Sequence, residues 1–172
     1  MADDFRKMDK EEPVAWLRKA SSDNKQVAAW NGYRRANPDW SPELEHAELG
    51  GTNLVKADLH AAGLQNANFS HAYLEETNLD ESKSQAANFT AVNLYGAYLN
   101  DASLFNAILK GATLGATDLR RARLELATLS EAYLAPRQAC GGRLLAGDGR
   151  RQISQTAKNR QSSAVILSMS SE

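Results

Sequence analysis

Residues 57–76 read ADLHA AGLQN ANFSH AYLEE, four groups of five with alanine first and leucine or phenylalanine third. Counting outward in fives, the third-place residue returns from Leu44 to Leu134. Of the nineteen positions on that count, only Ser84 is neither leucine nor phenylalanine. Two residues before each comes a small side chain: alanine at thirteen positions and Thr52, Thr77 and Thr117 at three more. Pro42, Ser82 and Val92 fill the rest.

A period of five fits neither regular element. On a helix, five steps turn a side chain by about 500°, so successive leucines drift around the axis. On a flat strand, five steps put them on opposite faces. The pattern is satisfied if the chain bends once in every five residues, with the small residue and the leucine two places on both pointing inward. Asn, Asp and Gly suit bends. They often stand just before the leucine, at Asn53, Asp58, Gly63, Asn68, Asn78, Asn88, Asn93 and Asp118, which reads as the bend.

Ala57-Asp-Leu-His-Ala, Ala67-Asn-Phe-Ser-His, Ala97-Tyr-Leu-Asn-Asp and Ala112-Thr-Leu-Gly-Ala resemble the A(D/N)LXX signature of pentapeptide-repeat proteins. The resemblance covers residues 42–136. It implies an all-β solenoid, a right-handed quadrilateral β-helix with four pentapeptides to a coil. Nearly five coils at the usual strand separation make a rod about 20–25 Å long. Residues twenty apart then stack, so Phe69 lies beside Phe89 and Leu64 and Leu104 flank Ser84 in the structural core. The expectation for Ser84 is a tolerated polar residue whose hydroxyl bonds to backbone.

A β-helix leaves backbone groups open at each end. Residues 1–41 supply a short α-helical cap. Pro13 suits a first helical turn, and a second helix starts near Ser22 or Asp23 and stops before Asn37-Pro38. Trp16, Trp30 and Trp40 all precede the repeats. Residues 137–172 change character: Arg137, Arg143, Arg150, Arg151, Lys158 and Arg160 against Asp148 and Glu172 give a net +4. This tail reads as mostly disordered, with Ala164–Met169 a candidate strand over the last coil. The abrupt shift in composition also fits a truncated or frame-altered gene. An uncapped last coil would let two copies pair end to end.

The lone Cys140 excludes an intrachain disulfide and fits a reducing compartment. The first residues lack the order of a secretory signal, and the apolar run at 164–167 is too short to span a membrane. The expectation is a cytoplasmic protein with no membrane partner. Histidines 46, 60 and 71 fall outside the inward positions, and no phosphate loop, HExxH or GxSxG occurs. No catalytic residue, metal or cofactor is expected.

Surface remains. Between 42 and 136 there are twelve acidic and six basic residues, a net of −6. Outward positions hold Tyr73, Tyr95, Tyr98 and Phe105 near Glu75, Glu76, Asp80 and Glu81, aromatics beside charges as in protein-contact patches. The reading is a non-enzymatic scaffold acting by contact with a protein partner, with no direct nucleic-acid binding. The alternative, implied by the resemblance, is an acidic DNA mimic that binds a DNA-processing enzyme such as gyrase.

Overall fold

The computed structural model describes residues 13–20, 24–134 and 165–166. Two helices, α1 (Pro13–Ala20) and α2 (Asn24–Ala36), precede the coils. Pro13 opens α1, where its missing N–H is no loss. At the end of α2 the Asn37 N–H donates to the Tyr33 carbonyl at 3.0 Å, and Pro38 follows. Val27, Trp30 and Tyr33 bury one face of α2, and Trp16 and Leu17 of α1 join the same cluster. Trp40 meets both Trp30 and Tyr33 edge-on, at 5.7 and 5.1 Å between ring centroids.

Beyond residue 42 the chain coils with a period of twenty. Fifteen parallel bridges join residues twenty apart, from Glu43–Gly63 to Thr113–Tyr133. They form four columns, hence four faces. The first face is centred on Glu43, Gly63, Lys83, Ser103 and Arg123, and the second on Glu48, Asn68, Asn88, Ile108 and Thr128. Asn53, Tyr73, Asn93, Thr113 and Tyr133 centre the third; Asp58, Asn78, Tyr98 and Asp118 centre the fourth. The rungs are isolated bridges rather than strands, because a bend every five residues leaves too short an extended run. Among the described residues the only strands are β1 (Tyr133–Leu134) and β2 (Val165–Ile166), paired antiparallel. Two residues of the expected Ala164–Met169 strand thus meet the last coil; the rest of the tail lies outside the described residues.

One pentapeptide shows how the backbone is satisfied. Asn68 N–H donates back to Ala47 O at 2.8 Å, and Phe69 and His71 donate forward to Asn88 O and Thr90 O at 2.8 and 2.9 Å. Ala72 N–H closes a turn onto Phe69 O at 3.0 Å. The fifth donor, Ser70 N–H, goes to the Asn68 side-chain oxygen at 3.0 Å. This corrects the placing of the bends. The residue before each leucine sits at a face centre, and its carboxamide or carboxylate reaches forward to hold the turn. The same bond recurs from Asn53, Asp58, Asn78, Asn88, Asn93 and Asp118. The corner lies two residues after the leucine. There φ is positive in every pentapeptide from 46 to 131, and fifteen of those eighteen residues are not glycine.

The interior is as read. The fives from Leu44 to Leu79 are wholly buried, and Phe69 and Phe89 stack at 5.4 Å and 9°. Inward threonines return their hydroxyls to carbonyls: Thr52 to Leu49, Thr77 to Leu54 and Thr117 to Leu94. Ser84 is fully buried on a regular backbone, its N–H 2.8 Å from Ser103 O. Its hydroxyl differs from expectation: it pairs with the buried Ser82 hydroxyl at 3.0 Å instead of the main chain. The two alcohols satisfy one another, which makes the polar repeat tolerable.

The cap stands in for a missing coil. In later coils the face-centre N–H and C=O bond to the coil before. In the first coil, Asn31 Oδ1 accepts from Asp58 N–H at 2.8 Å, and Trp30 Nε1 donates to Asp58 O at 2.7 Å. Arg34 reaches His60 O at 2.7 Å and Arg18 reaches Glu48 O at 2.8 Å. Arg34 is itself buried, which pushes its pKa down against the pull of Asp58, whose carboxylate lies 3.8 Å away.

Candidate interaction surface

Each pentapeptide turns three side chains outward: the face-centre residue and two at the following corner. A side chain's place on the rod is therefore fixed by its number within the twenty-residue coil. On that count Tyr73 centres the third face, and Glu75 and Glu76 sit at the corner between the third and fourth. Tyr95 stands one coil above Glu75. Tyr98 centres the fourth face above Asn78, and Asp80 and Glu81 occupy the corner after it. Seven of the eight expected surface residues so form one strip wrapped around two consecutive coils. Phe105 does not join them; it lies at the corner between the first and second faces, diagonally across the rod.

The three tyrosines of the strip are 52%, 54% and 40% exposed in chain order. Its carboxylates are held to different degrees. Glu75 accepts from the Asn93 amide through Oε1, while its Oε2 is buried without a partner. Asp80 accepts from the Asn100 N–H and amide at 2.7 and 2.9 Å. Glu76 lies 3.5 Å from Lys56, and Glu81 is exposed. One coil higher the charges pair off. Arg121 grips Asp101 with two contacts of 2.6 Å, and that hydrogen bonding holds the Asp101 carboxyl below its ordinary range. Burial works to raise Asp118, but the hydrogen bonds and charge of Arg120 outweigh it and leave the carboxyl lowered.

Three exposed side chains escaped the sequence reading: Ile108, Leu126 and Tyr133, at 42%, 64% and 45%. Their signal was present, since a large apolar residue off the two inward positions of the five must face out. Leu126 sits at the corner that holds Phe105, one coil on, and Ile108 centres the adjoining second face.

The histidines are dispersed, with His46, His60 and His71 at three different corners. Among the described residues no group of three or more His, Cys, Asp or Glu is placed to hold a metal. None of the described helices is long and apolar enough to cross a membrane.

Compared with known families, residues 43–80, 67–106, 85–121 and 107–135 match pentapeptide repeats, in eight copies. No curated protein matches. Among solved structures, a pentapeptide repeat protein from the cyanobacterium Cyanothece 51142 is 31% identical over 54% of this chain and 65% of its own, with a TM-score of 0.35. HetL, a pentapeptide repeat protein involved in heterocyst differentiation regulation in Nostoc sp. PCC 7120, is 37% identical over 53% and 40%, with a TM-score of 0.29. QnrB1, a plasmid-mediated fluoroquinolone resistance protein, is 13% identical over 56% and 52%, with a TM-score of 0.27. The chain spans less than two thirds of each of these three.

Proposed function

The chain belongs to the pentapeptide-repeat family, and on that footing we propose that it is a non-enzymatic scaffold, a right-handed coil that acts by protein contact. The observation that carries this reading is the contiguous strip of Tyr73, Tyr95 and Tyr98 with Glu75, Glu76, Asp80 and Glu81. Exposed tyrosines on a rigid frame supply contact area at low entropic cost, and flanking carboxylates steer a partner's approach. The test compares proteins captured by the full chain with those captured by a Tyr95→Ala/Tyr98→Ala/Glu81→Lys variant and by Phe105→Ala. A set kept by wild type and Phe105→Ala but lost by the triple variant supports the strip. Identical sets from all three chains refute it.

DNA mimicry is less well supported. The described parts of α1 and α2 carry Arg18, Lys19, Lys25, Arg34 and Arg35 and no acid. The negative charge of the first coils thus already has basic helices packed beneath it. The likeness to QnrB1 carries no argument at its identity and TM-score. A supercoiling assay with gyrase, with and without quinolone, addresses this reading; protection by the chain would revive it.

A further inference from the structure

The helix that holds the first coil carries a chemically fragile pair at its point of contact. The chain has twelve asparagines, and only Asn31 is followed by glycine. Glycine has no Cβ to shield its amide nitrogen, so in an Asn–Gly pair that nitrogen reaches the preceding carboxamide most readily. The φ of Gly32 does not call for glycine. The described glycines with positive φ are Gly51, Gly96 and Gly111, all at corners of the coil, and Gly32 is not among them. It stands inside α2, between Asn31 and the buried Tyr33, where almost any other residue would make a firmer helix.

We propose that Asn31–Gly32 is a site of spontaneous deamidation, protected while the cap is seated and exposed once α2 lifts from the first coil. The seated cap protects the pair in two ways. Within a helix the main-chain N–H is committed to the carbonyl four residues back, so the Gly32 nitrogen is turned away from the Asn31 side chain. The carboxamide is also held from outside: Oδ1 accepts from Asp58 N–H and Nδ2 donates to Lys56 O, both at 2.8 Å. Trp30, 1% exposed, pins the same turn by donating to Asp58 O at 2.7 Å. Attack therefore requires α2 to unwind at Asn31 and leave coil one, which is a local opening and not global unfolding.

The reaction balances with water alone. The Gly32 nitrogen gives up its proton and bonds to Asn31 Cγ; the Cγ–Nδ2 bond breaks, and ammonia leaves with that proton. The succinimide so formed takes up one water at either carbonyl and opens to aspartate or isoaspartate. Neither product restores both bonds. Aspartate has no donor for Lys56 O and sets an oxygen against it, while isoaspartate adds a methylene to the main chain and throws the rest of α2 out of register. Opening is reversible until ammonia is lost and permanent afterwards, so the cap works as a one-way latch on the first coil. The tyrosine and carboxylate strip plays no part in it.

The test uses the full chain, incubated at neutral pH and sampled over weeks. Peptide mapping by mass spectrometry and labelling by isoaspartyl methyltransferase should place deamidation at Asn31 ahead of every other described asparagine. Trp30→Ala, which loosens the cap, should accelerate it roughly tenfold or more, with the α2 amides exchanging hydrogen faster by a similar factor. Gly32→Ala should slow it roughly tenfold or more, and should do so in urea as well, where helix strength no longer matters. The deamidated fraction, separated by its added negative charge, should exchange faster at Asp58 N–H and keep the original rate at Leu99. Asn31 left intact in Trp30→Ala overturns the proposal, as does one rate shared by Trp30→Ala and the unaltered chain. Unchanged exchange at Asp58 in the deamidated fraction would show a lesion without a latch and overturns it too. None of these outcomes bears on the capture experiment, so the two readings fail separately.

Discussion

Replacing Asn31 with alanine should open the first coil without disturbing the third. The Asn31 carboxamide makes two bonds at once, accepting from Asp58 N–H and donating to Lys56 O, each at 2.8 Å. It occupies the place where a preceding coil would offer its own backbone. A hydrogen bond contributes a net ~0.5–1.5 kcal/mol, and a buried donor left unpaired costs about 1–3 kcal/mol. Because Asp58 N–H is only half-buried, water recovers part of that, and about 2 kcal/mol is the expected loss. Native-state hydrogen exchange measured by NMR is the assay. Two kcal/mol corresponds to roughly thirtyfold faster exchange at Asp58. In a solenoid, stability is a sum of local terms, so the Leu99 amide, bonded to Asp118 O at 2.8 Å in the coils above, should hold its rate. Unchanged protection at Asp58 would refute the cap's role. Equal acceleration at Asp58 and Leu99 would refute the one-dimensional energetics instead.

Phe89→Ala should cost about 3–5 kcal/mol in thermal or urea unfolding, because it removes one ring of a stacked pair from a fully buried column. Ser84→Leu alone should change the melting temperature little: the gained apolar burial is offset by the orphaned Ser82 hydroxyl. The double change Ser82→Ala/Ser84→Leu removes both alcohols and should raise stability by about 1–2 kcal/mol. Arg121 holds Asp101 in its charged form and its folded pKa is lowered, so this pair's contribution is present above the unfolded carboxylate range. It is lost as pH falls through the depressed folded value. NMR titration of the Asp101 carboxyl carbon should show that low value move up toward the ordinary range in Arg121→Gln.

The coil was legible because a period of five excludes both helix and strand, and Leu44 through Leu129 keep one phase. Bend placement was not. Asn53 and Asn68 look like bend residues in sequence, yet they sit at face centres and hold the turn through a side-chain bond two residues on. The residues that occupy the left-handed corner, such as Lys56, Ala91 and Leu126, have no turn preference that would reveal it. The cap's tryptophans announced themselves, while Asn31 and Arg34 did not, since a polar side chain bound to distant backbone leaves no periodic mark. Most of the surface strip was recoverable because 73–81 and 95–98 differ by about one coil. Phe105 failed because ten residues beyond Tyr95 is half a revolution.

Every bridge in the rod links residues twenty apart, so length and orientation are separate hereditary quantities. Duplicating any twenty consecutive residues inside the coils would lengthen the rod by one rung and leave each downstream side chain on its own face. Duplicating five would keep all leucines inward and yet turn everything beyond by a quarter revolution. Tyr95 would then stand at the corner after the fourth face, where Asp80 and Glu81 now are. A lineage carrying this fold can therefore exchange one working surface for another by a fifteen-nucleotide slip, with the interior none the wiser.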